Sequence, residues 1–184
     1  EDNRRYYTNG NFASYVLGFT NNDYKGVCGV ESTYDEWLSG EDGVVYIQKD
    51  ANGTTIPSQT KTVKQPKQGN DLVLTLDSNI QTLTEKALSS AIEQWKAKSG
   101  TAIVMDTKTG EIVAMATKPD YDLNDPYTIS SDYQSKHSSD LSGQSETDQL
   151  NTMWSNPAVS FVYEPGSTFK TITASAALEE GVVT

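Results

Sequence analysis

The sequence predicts an α+β protein: a β-rich amino-terminal region, followed by a helix, a β-hairpin and a second helix. Three observations carry this reading. Short apolar and aromatic runs broken by Asn-Asn, Ser-Gly, Asp-Gly and Asn-Gly fill residues 1–66. Apolar residues then recur at helical intervals between Ile80 and Trp95, and "TAIVMDTKTGEIVAMAT" sets two apolar strands around a Gly-containing turn. The Pro/Gly/Lys connector "KTVKQPKQGN" separates the two regimes, so the chain divides into 1–66 and 67–184.

Each element has its own local reason. "NFASYVLGFT" and "GVVYIQKD" read as short strands, and "KDANGTTI" as a hairpin on Asn52-Gly53. A brief helix is expected near "STYDEWLSG". "DLVLTLD" alternates as a strand does, after which Asp77 or Ser78 caps a helix, Ser78 and Gln81 having capping-box spacing. Ile80, Leu83, Ala87, Leu88, Ala91, Ile92 and Trp95 supply that helix with one buried face, and Gly100 ends it. Thr107 to Gly110 make the hairpin turn. The polar segment from Lys118 to about Ser160 is long enough to be functional, mobile or a host for short helices.

Composition narrows the function. Hydrophobic residues at 35% and charged residues at 21% suit a folded globular protein. A net charge of -11 with scattered Lys and Arg argues against a nucleic-acid surface, which needs clustered cations. Cys28 is the sole cysteine, so no internal disulfide forms, and His137, the sole histidine, excludes zinc-finger spacing. His137 lies in "SSDYQSKHSSD" and reads as an exposed loop residue. No apolar run reaches membrane-span length, and there is no internal repeat or signal peptide. The pattern begins in mid-course and stops just after a helix, as expected of part of a longer protein.

The stretch with chemical content is "YEPGSTFK", Tyr163 to Lys170. Ser-x-x-Lys alone is weak: Ser58 and Lys61 in "PSQTK" have the same spacing without helical periodicity. Around Ser167 the setting differs. Pro165 and Gly166 break what precedes, and "STFKTITASAALEEG" runs as a helix with apolar Phe169, Ile172, Ala176, Ala177 and Leu178, stopped by Gly181. Ser167 falls in the first turn and Lys170 on the same face. A serine hydroxyl attacks only when a base takes its proton, and a lysine serves only as the free amine. Lowering a lysine from its ordinary value of about 10.4 to near neutrality takes about 4 kcal/mol, through desolvation and neighbouring cations. Helix N-terminal N–H groups, including that of Ser167, favour the oxyanion of acyl transfer. A serine N-cap beside a solvated lysine has the same spacing.

"YEPGSTFK" followed by "TITASAALEEGVV" closely resembles the nucleophile motif of the class B penicillin-binding proteins, the peptidoglycan D,D-transpeptidases. "LTLDSNIQTLTEKAL", "AIVMDTKTGEIVAMATKPDYDLNDP" and "NPAVSFVYEPGSTFK" follow the order of that family's transpeptidase domain, a penicillin-recognising serine transferase fold. "ASYVLGFT", "GVCGVESTYDEWLSGEDG" and "DANGTTI" resemble its amino-terminal pedestal, or dimerisation, domain. The resemblance implies Ser167 as acylated nucleophile and Lys170 as general base, acting on the D-Ala-D-Ala end of a stem peptide and on β-lactams. No metal or organic cofactor is implied. It further implies an anchor helix before Glu1, an extracytoplasmic catalytic domain at the cell membrane, a membrane glycosyltransferase partner, a possible homodimer and a carboxy-terminal remainder. Ser-x-Asn and Lys-Thr/Ser-Gly motifs should follow Ser167 and do not. "KTG" at Lys108 to Gly110 precedes it in the hairpin turn, and "DSN" at Asp77 to Asn79 is a helix start; both read as decoys. The isolated piece is therefore expected to be inactive. Rival readings are a serine β-lactamase or β-lactam sensor, and a non-catalytic cell-wall scaffold.

Overall fold

Residues 5–49, 53 and 61–183 are described by the structure, a computed structural model. Ser58 and most of the Asn52-Gly53 turn lie outside them. The α+β class is as expected, but residues 5–43 contain short helices where strands were anticipated. "NFASYVLGFT" forms α1 (Ser14–Leu17), entered through Ala13 at φ 48°, and keeps only an isolated bridge between Thr20 and Gly26. Apolar residues spaced for one helical turn and for a short strand are hard to tell apart over so few positions. α1 leaves through Gly18 at φ +70°, where an added Cβ would stand 1.9 Å from the Cys28 carbonyl oxygen. Backbone therefore packs directly on backbone there. "STYDEWLSG" is helical as expected, as α2 (Gly29–Thr33) and α3 (Asp35–Leu38). β1 (Val44–Tyr46) and β2 (Lys61–Lys64) pair antiparallel as two arms of a hairpin.

"DLVLTLD" forms no strand. It runs beside β4 (Ile112–Lys118), with Thr75 Oγ1 donating to the Ile112 carbonyl at 2.7 Å and Asp77 N–H to that of Val113 at 2.9 Å. α4 (Ser78–Trp95) follows. Asp77 is its N-cap, one carboxylate oxygen accepting from Asn79 and Ile80 N–H at 2.8 and 2.9 Å. Ser78 and Gln81 form no capping box, because the cap sits one residue earlier. Gln81 instead turns inward, is fully buried, and pairs with the Met115 backbone.

The helix ends at Trp95 rather than at Gly100. Lys96 takes the left-handed conformation at φ 51°, with Lys96 N–H bonded to the Glu93 carbonyl and Ala97 N–H to that of Ile92, a Schellman closure without glycine. Gly100 opens β3 (Gly100–Met105), where a Cβ would meet Leu88 Cδ1 at 3.0 Å. β3 and β4 form the expected antiparallel hairpin, from Gly100 opposite Lys118 to Met105 opposite Ile112. Only part of the expected apolar face of α4 is covered. Ile92 is buried and Leu88 half-buried against the hairpin, whereas Leu83 and Trp95 are 66% and 76% exposed.

The polar segment hides three helices: α5 (Ser131–Leu141), α6 (Glu146–Trp154) and α7 (Pro157–Ser160). Ser130, Ser145 and Asn156 cap them, each side chain accepting a backbone N–H of its helix. Their buried residues join the main core, where Tyr133, Leu141, Leu150 and Met153 meet Tyr121 and Leu123 from the stretch after β4 and Tyr15 and Phe19 from around α1. Edge-on aromatic contacts link Tyr121 to Tyr15 at 5.3 Å and Phe19 to Trp154 at 5.0 Å. That core thus knits the region around α1 to the helices leading into the Ser167 segment.

Candidate active site

The chain reaches Ser167 through an exposed, extended stretch after α7. Pro165 in the right-handed region and Gly166 at φ +53° turn it into a 3₁₀ helix, Gly166–Phe169, that runs directly into α8 (Lys170–Glu179). Sequence pattern placed Ser167 in an α-helical first turn; the tighter 3₁₀ turn is the difference. It has a consequence for alignment. Residues three apart eclipse in a 3₁₀ turn, whereas an α-helix offsets them. The Lys170 N–H donates to the Ser167 carbonyl, closing that turn. Both residues are exposed, and among the described residues neither side chain forms a hydrogen bond or ion pair. The Ser167 N–H also donates to no acceptor there, as an oxyanion donor requires. α8 ends as expected at Gly181, φ +67°, with Val182 N–H bonded to the Ala177 carbonyl and Gly181 N–H to that of Leu178.

What holds this segment to the body lies just upstream. Trp154 Nε1 donates to the Pro126 carbonyl at 2.8 Å. Asn156 Oδ1 accepts from Ala158 N–H at 3.0 Å, while Nδ2 donates to the Tyr15 carbonyl at 3.3 Å and lies 3.5 Å from Met115 Sδ. Met115 is fixed in turn: Gln81 Oε1 accepts its N–H at 2.8 Å and Gln81 Nε2 donates to its carbonyl at 2.9 Å. Gln81 Nε2 also donates to Glu85 Oε1 at 2.7 Å, which accepts Ala13 N–H at 2.8 Å. Sequence reading gave Gln81 a capping role instead of this one and missed Asn156. The Asn-Pro pair, an N-cap before proline at the first helical position, was the available signal for Asn156.

The other singled-out residues fall elsewhere. Lys108 to Gly110 occupy the β3–β4 turn, where Asp106 Oδ1 accepts Lys108 N–H at 2.7 Å and Gly110 has φ +78°. Asp77 to Asn79 begin α4. His137 is not in a loop; it sits at a kink in α5, 14% exposed, stacked on Tyr133 at 4.4 Å with Nδ1 3.1 Å from Asp140 Oδ2. Hydrogen bonds from Lys98 and His137 hold the Asp140 carboxyl down to about 2. Burial pushes the Cys28 thiol up, with Tyr121 Oη 3.5 Å away. Near the amino terminus, buried Glu31 is gripped by Arg5 through Nη2 at 2.7 Å and Nε at 2.9 Å. Burial lowers the guanidinium, but the hydrogen bond and charge of Glu31 outweigh it and hold Arg5 above its usual value. Arg5 and Glu31 also line a cleft of about 720 Å³, whose walls do not include Ser167 or Lys170. Among the described residues no cluster of His, Cys, Asp and Glu could hold a metal ion.

The Penicillin binding protein transpeptidase domain matches residues 100–184, and the Penicillin-binding Protein dimerisation domain matches residues 1–74. The chain belongs to the class B penicillin-binding proteins. Among relatives, it is 39% identical over 180 residues to Stage V sporulation protein D of Bacillus subtilis, covering 98% of this chain and 25% of the relative. It is 35% identical over 183 residues to the peptidoglycan D,D-transpeptidase FtsI of Escherichia coli, covering 100% of this chain and 27% of the relative. This class B chain therefore spans about a quarter of the length of those relatives. A crystal structure of a peptidoglycan synthetase from Bifidobacterium adolescentis aligns with TM-score 0.72 and 30% identity over 100% of this chain and 29% of that one. Penicillin binding protein 3 of Mycobacterium tuberculosis, complexed with ampicillin, aligns with TM-score 0.69 and 30% identity over 98% of this chain and 32% of its own.

Proposed function

We propose that the protein to which this chain belongs is a peptidoglycan D,D-transpeptidase, with Ser167 its nucleophile and Lys170 its general base. The observation carrying the reading is the 3₁₀ turn, closed by the Lys170 N–H on the Ser167 carbonyl, that joins the two positions at the start of α8, within the stretch matched to the transpeptidase domain. Lys170, as the free amine, takes the hydroxyl proton. Ser167 Oγ adds to the penultimate D-Ala carbonyl carbon, the peptide C–N bond breaks, and the protonated amine returns its proton to the departing D-alanine. An acceptor amine from a neighbouring stem then displaces Oγ. β-Lactams open on the same oxygen and stop there.

Residues 1–66 serve as the pedestal and 67–184 as the start of the catalytic domain in this reading. The acting protein works outside the cytoplasmic membrane, anchored by a helix in another part of the protein; no described helix is long and apolar enough to cross a membrane. It acts beside a membrane glycosyltransferase and pairs with a second copy through the region matched to the dimerisation domain. The exposure of Ser167 and Lys170 supports the expectation that residues 1–184 alone label poorly with penicillin, because an open face neither excludes water nor encloses the ligand.

The test uses full-length protein with fluorescent penicillin. Wild type is expected to carry a stable adduct that mass spectrometry maps to Ser167, and Ser167→Ala to fold normally without one. An adduct at another residue, or undiminished labelling of Ser167→Ala, overturns the assignment. Turnover of the adduct within seconds would instead favour a β-lactamase.

A further inference from the structure

We infer that Asn156 is a positioning residue for acylation, the last anchor that sets where Ser167 is presented; this rests on Ser167 being the nucleophile. Among the described residues, no hydrogen bond joins any residue beyond Ser160 to one before Ser155. Every residue from Val159 to Ala176 is exposed. The course of the chain toward Ser167 is thus set where it leaves the body. At that point Asn156 does two things with one side chain. Its Oδ1 starts α7 by capping Ala158 N–H, which fixes the exit direction. Its Nδ2 reaches both the α1 backbone, at the Tyr15 carbonyl, and the β4 side chain of Met115.

Both contacts are themselves rigid. Tyr15 is buried, its hydroxyl donating to the Pro119 carbonyl at 3.0 Å, and Met115 is clamped by Gln81. α7 packs across β3 and β4. Losing the Nδ2 contacts would leave the cap in place but free α7 to rotate about its start. Over the eleven residues from 156 to 167, a small rotation becomes a displacement of ångström size at Oγ. Misplacement of about 1 Å can cost on the order of a hundredfold in rate, and it falls on the chemical step rather than on ligand capture.

The test compares full-length wild type with Asn156→Asp, which keeps the capping acceptor but sets a carboxylate against the Tyr15 carbonyl, and with Asn156→Ser, which keeps a shorter acceptor and has no amide donor. Stopped-flow acylation by a fluorescent penicillin separates the dissociation constant from the acylation rate constant. The rate constant is expected to fall at least about tenfold in both variants, about 1.4 kcal/mol, with the dissociation constant and thermal midpoint close to wild type. A purely structural residue would shift the midpoint and the labelled fraction while leaving that rate constant in the folded molecules alone, and this result overturns the inference. So does an unchanged rate constant with the adduct at Ser167. A wild-type adduct at another residue refutes the nucleophile assignment itself.

Discussion

Gln81→Met is the most informative single change in the body of the structure. Methionine matches glutamine in length and shape but neither donates nor accepts usefully, so the substitution deletes the amide without opening a large hole. Two backbone groups of Met115 then lose their partners: its N–H, 2.8 Å from Gln81 Oε1, and its carbonyl, 2.9 Å from Gln81 Nε2. Gln81 is fully buried, so water does not readily replace it. Each orphaned buried group costs about 1–3 kcal/mol, for a total of about 2–6. Glu85 keeps Ala13 N–H at 2.8 Å and adds little to that sum. A loss near 3 kcal/mol raises the population of the locally opened strand on the order of a hundredfold, since about 1.4 kcal/mol is tenfold. Native-state hydrogen exchange of the full-length protein, read by mass spectrometry on a peptide spanning 112–118, measures this directly. Protection across those amides is expected to drop by that factor, with helices α5 and α6 less affected. If protection in Gln81→Met stays within about threefold of wild type, the two bonds contribute less than about 1 kcal/mol, and the account of Gln81 as the partner closing the edge of β4 fails.

Two further outcomes follow from the electrostatics. Cys28 is half-buried and its thiol raised by burial, so a disulfide-exchange reagent at pH 8 is expected to react at least about tenfold more slowly with native protein than with urea-unfolded protein; equal rates would contradict that burial. Asp140 is held at about 2 against an ordinary 3.8, so the folded state resists protonation and the stabilisation is complete above about pH 4 and lost as pH falls toward 2. Because Asp140 is largely solvated the effect is small. Stability curves of wild type and Asp140→Asn are expected to converge only in that acid window, and parallel curves from pH 5 to pH 2 would refute it.

The boundaries of what the sequence disclosed follow from how local each signal is. The β3–β4 hairpin was legible because its strands alternate around a turn whose chemistry, Asp106 to Gly110, is complete within five residues. The α8 region was legible because Pro165-Gly166 and Gly181 bracket it. α4 was read as a helix correctly, but its inward stripe was not. Two faces were merged into one: Leu88 and Ile92 lie toward the hairpin, on the same stripe as polar Gln81 and Glu85, while Leu83, Ala87, Ala91 and Trp95 form an exposed ridge four residues apart. No periodicity argument chooses glutamine over leucine for the inside, because that choice depends on an unpaired strand edge supplied 34 residues later. His137 is a different case: Tyr133 and Asp140 are its neighbours within α5, and only Lys98, which bonds Asp140, is brought in from another element. "DLVLTLD" alternates like a strand, yet it meets the β4 edge only through the Thr75 hydroxyl and the Asp77 N–H, and the Gln81 amide takes the next position in place of a ladder.

At Ser167 the geometry separates two requirements that the motif runs together. Alignment is local: Gly166 turns the chain, the 3₁₀ turn eclipses positions 167 and 170, and the Lys170 N–H closes it, all within five residues. Activation is not local. A neutral lysine amine needs an enclosure that strips water from it, and the face bearing Ser167 and Lys170 is open across the described residues. Ser-x-x-Lys can therefore recur by chance in any chain, as at Ser58 and Lys61, without chemistry. What distinguishes position 167 is that its turn is carried on a stem capped at Asn156 and anchored by the same side chain to the Tyr15 backbone and the Met115 side chain, so that positions 167 and 170 share one turn where an enclosing surface would meet them.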